Sequence, residues 1–386
     1  MTDERARIRE GVAAVLAWYP GVRRALPWRE APDAYHVWIS EIMLQQTRIE
    51  AVIPYYRRFL AELPDVQSLA AVEEERLLKL WEGLGYYSRA RNLQKAAVQV
   101  CADYGGTLPK TAAELRKLPG IGDYTAGAIA SIAWGEPEPA VDGNVLRVLL
   151  RLLARRDDAA QPKTRTALAE LLKECYPSGR DAGLVTEGLM ELGETLCVPN
   201  AKPRCALCPW EKLCLARQNG STDSIPLKSP PRPRRVEART VLLLRWENRW
   251  ALRRRTEGPL RGMWEFPSLP GALTPEEALE AIAALGAKPL GLTPCGEARH
   301  VFTHVEWHMR GCLAELEEAA PALTWASAED IRARFSLPTA FRFYWKNVVE
   351  KQDDLASPSV GDSDAQEAHG DPGLLARRVP RKRRDC

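Results

Sequence analysis

Two carboxylates in the 386-residue chain sit where their residue type could do acid–base work. Glu41 lies in Trp38-Ile39-Ser40-Glu41-Ile42-Met43-Leu44, and on a helix its neighbours one turn away are Val37, Trp38 and Leu44, all apolar. A carboxyl on such a face is partly desolvated, which raises its pKa toward neutrality and leaves a proton available for donation. The commoner fate of a glutamate is a helix edge reaching solvent. Asp142, in Val141-Asp142-Gly143-Asn144-Val145, precedes a helix and by itself reads as an N-cap. Twenty residues before it ends Leu118-Pro119-Gly120-Ile121-Gly122, between two expected helices. A hairpin with two glycines lets backbone N–H groups approach a phosphate, with a helix N-terminus behind them, a grip indifferent to base sequence. Taken alone, the segment is equally a plain helix–helix turn.

Cysteines supply the second chemistry. Four of nine fall within 18 residues, Cys197, Cys205, Cys208 and Cys214, at gaps of seven, two and five. A chain without a secretory signal keeps its thiols reduced, so the crowding asks for a metal rather than disulfides. A zinc ribbon prefers two Cys-x-x-Cys knuckles, and only one is present. His300, His304 and His308 are a weaker temptation. The alternation of Val301, Thr303, Val305 and Trp307 reads as strand, on which four residues span about 13 Å, too far to share an ion.

The elements that must position these groups fall into two kinds. Residues 1 to about 195 read as consecutive helices. Asp65 opens one, Glu73 to Glu82 ends at Gly83, Ser88 caps a run to Gly105-Gly106, and Thr111 with Glu114 has capping-box spacing. Further helices are expected at Thr125–Trp134, Asn144–Ala154, Lys163–Cys175 and Asp181–Leu196. Proline density from Lys228 to Arg235 marks an extended linker. Beyond it, β-type runs at Arg239–Trp246 and Arg299–Leu313 and a helix from Thr274 suggest an α+β domain. The expected division is 1–220 helical, 221–235 linker, 236–350 α+β, and 351–386 a disordered tail rich in Ser, Asp, Gly and Pro. A net charge of +3 does not by itself argue for nucleic acid, and the basic clusters Lys228–Arg235 and Arg377–Arg384 read first as solvated linker and tail. No apolar run is long enough for a membrane span. The expected location is the cytoplasm, on the nucleoid in a bacterium, or the nucleus in a eukaryote.

The motifs together resemble one family. Leu26-Pro27-Trp28-Arg29, the Glu41 segment through Gln45-Gln46-Thr47-Arg48, Gly83-Leu84-Gly85-Tyr86-Tyr87-Ser88-Arg89, the hairpin with Asp142, and the cysteine cluster are similar to those of MutY-type adenine DNA glycosylases. The resemblance implies an all-α helix-hairpin-helix glycosylase domain plus an α+β Nudix-like C-terminal domain. It implies removal of adenine paired with 8-oxoguanine or guanine in double-stranded DNA, by a monomer. It gives Glu41 the role of protonating adenine and places Asp142 at the sugar of the extruded nucleotide, positioned by Tyr124 and Asn144. Trp28, Arg29, Leu44 and Glu187 would line the adenine pocket, Gln46 and Tyr86 would enter the base stack, and Leu118, Gly120 and Gly122 would hold the DNA backbone. Helix-edge and core packing is the rival reading of the two stack-entering residues. Cys197, Cys205, Cys208 and Cys214 would ligate a [4Fe–4S] cluster, although the family has six residues in the first gap where this chain has seven. Lyase-active relatives carry an imine-forming lysine where Tyr124 stands, so a monofunctional enzyme is implied. The C-terminal Gly262–Pro267 and His300–His304 segments resemble the MutT-like domain of that family. Gly271 and Glu277 begin the Nudix hydrolase spacing, but Leu285-Gly286 stand where Arg-Glu belongs, so hydrolase activity is not expected. Phe302, Thr303 and His304 would instead probe 8-oxoguanine.

Overall fold

A computed structural model of the chain describes residues 2–30, 32–227, 229 and 233–356. From the N-terminus run α1 (Thr2–Trp18), α2 (Pro27–Glu30), α3 (Ala34–Leu44), α4 (Ile49–Glu62), α5 (Val66–Ala71), α6 (Glu74–Leu80), α7 (Ser88–Tyr104), α8 (Ala112–Leu115), α9 (Asp123–Trp134), α10 (Gly143–Leu152), α11 (Pro162–Lys173) and α12 (Arg180–Thr195), with a short further helix at Leu215–Gln218. Local signals account for most of the ends. Asp65 caps α5 in a reciprocal box with Ser68, and Gly105 ends α7 in the left-handed conformation. Three end assignments are corrected. The helix expected to run to Glu82 and stop at Gly83 ends at Leu80, with Trp81 as its C-cap. Ser88 is the first helical residue of α7 rather than its cap. Glu114 closes only half of the Thr111 box, because its carboxylate goes to Lys117 and Tyr104 instead.

The helices bury two apolar cores. One gathers α3 to α9 around Trp38, Phe59 and Trp81; the other joins α1 to α10, α11 and α12 around Val15, Leu149 and Leu189. The chain passes from the first core to the second near Val141, where α10 rejoins α1, and Asp142 caps α10 at that boundary.

The second half is a mixed sheet with helices on both faces. Its strands are β1 (Arg235–Trp246), β2 (Arg249–Arg254), β3 (Trp264–Glu265), β4 (Ser268–Pro270), β5 (Thr293–Val301), β6 (Val305–Glu315) and β7 (Thr324–Ala326), in the order β3-β2-β1-β6-β5 with β4 on β1 and β7 on β2. Only β1 and β6 run parallel among these pairs. Strand alternation sends Val241 and Leu243 to one face and Leu242 and Leu244 to the other. The first face packs on Ile331, Phe341 and Tyr344; the second packs on Ala278 and Ile282 of a helix at Pro275–Ala284. Thr274 and Glu277 form the capping box of that helix, so Glu277 serves a helix end here.

Two expectations fail in this half. The run Arg299–Leu313 is not one strand, because residues 302–304 turn between β5 and β6, with the Phe302 N–H donating to the Val305 carbonyl at 2.8 Å. Residues 351–356, expected within a disordered tail, belong to a helix (Glu350–Ala356) continuing a run from Arg342. The rest of the expected tail, including Arg377–Arg384, and most of the basic linker cluster lie outside the described residues.

The two halves meet along a seam. Met263 is 1% exposed within the helical core that contains Trp38. Ser336 Oγ donates to the Leu78 carbonyl, and the Leu337 N–H donates to Glu82 Oε1 at 2.7 Å. Among the described residues no helix is long and apolar enough to cross a membrane.

Candidate active site

A cavity of about 640 Å³ opens between the two helical cores. Trp28, Arg29, Glu41, Leu44, Gln46, Tyr124, Asp142, Asn144 and Glu187, far apart in sequence, all line it. The helical period puts Glu41 on the inner face of α3, where it is 6% exposed between buried Val37 and Trp38. Burial pushes its carboxyl up to about 7, reinforced by Asp142 and Glu187 and opposed by a hydrogen bond from Tyr124 and by Arg29. A carboxyl at that value holds a proton at neutral pH and can release it.

Asp142 caps α10. Its Oδ1 accepts from the Val145 N–H at 2.7 Å and its Oδ2 from Asn144 Nδ2 at 2.9 Å. Burial raises this carboxyl too, against those hydrogen bonds and Arg147, all of which favour the charged form. The two acids therefore differ in kind: Glu41 has one donor beside it and a large upward shift, whereas Asp142 is wrapped by donors.

Tyr124 corrects the sequence reading. Its hydroxyl donates to Glu41 Oε2 at 2.5 Å, so it holds Glu41, and Asn144 alone of the expected pair holds Asp142. Burial beside Glu41 and Asp142 keeps the phenol protonated, its pKa pushed well above the ordinary range.

Behind the cavity runs a charge network that motif spacing did not reveal. Glu187 accepts from Tyr19 Oη at 2.9 Å and Arg23 Nε at 3.0 Å, and Arg29 lies 3.4 Å from its other oxygen. Glu191, 2% exposed, pairs with Arg24 and with Arg29, the latter at 3.1 Å. The i, i+4 spacing of Glu187 and Glu191 on α12 was the one local signal available.

Gln46 and Tyr86 stand at exposed positions in the left-handed region, at φ of 63° and 49°. Side chains avoid that conformation unless surrounding structure enforces it, and such strain concentrates at functional sites. Gln46 borders the acid cavity; Tyr86 does not. Tyr86 lines a second cavity of about 830 Å³ on the seam, with Phe302, Thr303 and His304. Its hydroxyl shares a 2.9 Å hydrogen bond with Thr303 Oγ1. Phe302 is the anchor of that turn, its ring stacked edge-on against His300 and Trp307, while Thr303 and His304 are exposed. In the Leu118–Gly122 hairpin, Leu118 and Ile121 are pinned in the core while Gly120 and Gly122 face solvent. Gly120 has φ of +79°, which only glycine adopts at little cost. Any contact of Leu118 with DNA must run through its backbone.

The four clustered cysteines all line one small cavity below α10 and α12. The Arg204 N–H donates to the Leu196 carbonyl at 2.9 Å, so the longer first gap loops out and brings Cys205 back beside Cys197. Burial, then the neighbouring thiols, pushes Cys208 up to about 12. Arg151, 4% exposed, donates to Cys197 Sγ at 3.2 Å. Among the described residues no three His, Cys, Asp or Glu side chains are grouped for a single metal ion. Four cysteines on one cavity are a donor set whose chemistry fits the thiolate ligation of an iron–sulfur cluster.

This helical hairpin with paired carboxylates defines a DNA base-excision glycosylase, and comparison with known sequences bears out the class. Residues 39–174 match the HhH-GPD superfamily of base excision DNA repair proteins, and residues 240–347 match the NUDIX domain. A thermostable thymine-DNA glycosylase of known structure is 30% identical, with a TM-score of 0.50, over 55% of this chain and 98% of its own. The adenine DNA glycosylase of Rattus norvegicus is 34% identical over 86% of this chain and 77% of its own, and that of Homo sapiens 36% identical over 81% and 68%. The chain belongs to the adenine DNA glycosylase family.

Proposed function

We propose that the protein removes adenine paired with 8-oxoguanine, and with guanine, from duplex DNA, leaving an abasic strand uncut. The observation that carries this reading is the pairing of Glu41 and Asp142 across one cavity, Glu41 pushed up to about 7 by burial and Asp142 held by two hydrogen-bond donors that oppose its own upward shift. Adenine must leave the stack to reach that cavity, and Gln46 and Tyr86 fill the space it vacates. Trp28 and Leu44 supply apolar walls; the paired Arg29 and Glu187 supply polar contacts. Glu41 protonates the base, the glycosidic bond breaks, and the Asp142 carboxylate stabilises the cationic sugar, as paired carboxylates do in glycoside hydrolysis. Tyr124 holds the Glu41 proton in register and, lacking an amine, forms no imine with the sugar. Gly120 and Gly122 grip the backbone, and Thr303 and His304 read the opposite base.

The deciding experiment is excision from A:8-oxoguanine and A:G duplexes, with and without alkali. Strand breaks should need alkali, and borohydride should trap no efficient covalent adduct. Thr303→Val should cut the preference for 8-oxoguanine about fivefold, the ~1 kcal/mol of one hydrogen bond. An unchanged preference would remove Thr303 from lesion reading, and excision from neither duplex would overturn the function.

Cys197, Cys205, Cys208 and Cys214 are proposed to hold a [4Fe–4S] cluster. The group would supply four iron–thiolate bonds tying the 197–214 loop to the end of α12. Protein prepared without air should contain about four irons per chain and absorb in the visible blue; zinc in its place would reverse the assignment.

A further inference from the structure

A third cavity, of about 380 Å³, follows the seam between the halves, away from the acid pocket. Its helical wall carries Tyr55, Lys79, Glu82 and Gly83; its other wall carries Arg332, Arg342, Trp345 and Lys346. Lys79 and Glu82 are committed to the seam, pairing with each other and bonding the backbone at Ile331, Phe335 and Leu337. That leaves Arg332, Arg342 and Lys346 as three exposed cations with no ion pair among the described residues. Arg342 and Lys346 stand four apart on one helical run, and residues Trp345–Val349 within it form a π-helical turn. Such turns recur at functional sites.

We propose that this groove carries the phosphate backbone of bound DNA beyond the lesion-reading cavity, an inference that rests on reading the chain as a DNA glycosylase. Three observations favour DNA backbone over other acidic ligands. Gly83 and Thr339 line both this groove and the cavity of Tyr86 and Thr303, so one path joins them. Gly83 lies directly on the Tyr55 hydroxyl with no room for a side chain, which ties the groove wall to the loop that carries Tyr86. The aromatic rings are already spoken for: Arg58 sits 4.7 Å from the Tyr55 centroid and Arg332 5.8 Å from that of Trp345. Trp345 is further fixed by a 2.8 Å bond from its indole N–H to Glu350. Rings used to seat guanidinium groups do not stack bases, so the groove holds charge without reading sequence.

The test is salt-dependent binding of the full-length protein to a duplex running well past the mispair. Each phosphate contact contributes about 0.9 to the slope of log affinity against log salt. The double variant Arg342→Gln/Lys346→Gln should lower the slope by about 1.8, and Arg332→Gln alone by about 0.9. Single-turnover excision at saturating enzyme should be unchanged, because none of the three residues reaches the acid cavity. If the groove instead serves an acidic protein partner, the variants leave the DNA slope at its wild-type value, and that result overturns the proposal. Normal excision with an unchanged slope refutes the groove alone; absence of adenine excision in the wild-type chain refutes the enzyme reading, whatever the slope.

Discussion

Glu41→Gln should lower single-turnover adenine excision by at least ~10²-fold, the usual loss when a general acid is removed, while duplex binding survives. Gln keeps the shape and still accepts the hydrogen bond from Tyr124, but it has no proton to give at neutral pH. The wild-type pH profile carries the same signature. Donation requires the protonated carboxyl, whose folded-state value is about 7. Excision should therefore hold below that pH and fall as pH rises through it, approaching a tenfold loss per unit. The variant should lose this alkaline limb. Near-normal excision by Glu41→Gln, or a flat wild-type profile across that window, would take the acid role from Glu41.

Asp142→Asn should be nearly as severe, on the order of 10²- to 10³-fold, the range seen when a group aimed at developing charge is deleted. Folding should be spared, because Asn caps a helix about as well as Asp and its carbonyl can still accept from the Val145 N–H. Asp142→Ala, by contrast, should also cost about 1 kcal/mol of stability through the lost cap. Single-turnover rates and melting curves on both variants separate the roles. If Asn is as active as Asp, residue 142 is a cap and nothing more.

Much of the helical half could be read from local pattern. The apolar period on α3 puts Glu41 inward, and caps such as Asp65 and Asp142 mark where helices begin. What resisted reading is set by contacts without local cause. Tyr124 lies on α9, and its choice of Glu41 over Asp142 depends on how α3 packs against that helix. The Arg24–Glu191 and Arg29–Glu191 pairs span more than 160 residues and follow no period. The turn at 302–304 has no Gly, Pro, Asn or Asp to announce it; Phe302 holds it by packing on Trp307. The 350–356 helix carries Lys351, Gln352, Asp353 and Asp354, a composition that reads equally as solvated coil. The expected division at residue 220 also gave no sign that Met263, from beyond it, occupies the helical core.

That methionine bears on the order in which the chain is made. Synthesis runs from the N-terminus at about 5–20 residues per second, and domains generally fold as they emerge. All the helical segments around Trp38 are complete more than a hundred residues before Met263 is made. The nascent helical half must wait with an unfilled notch in its apolar interior until the sheet's segment arrives to plug it.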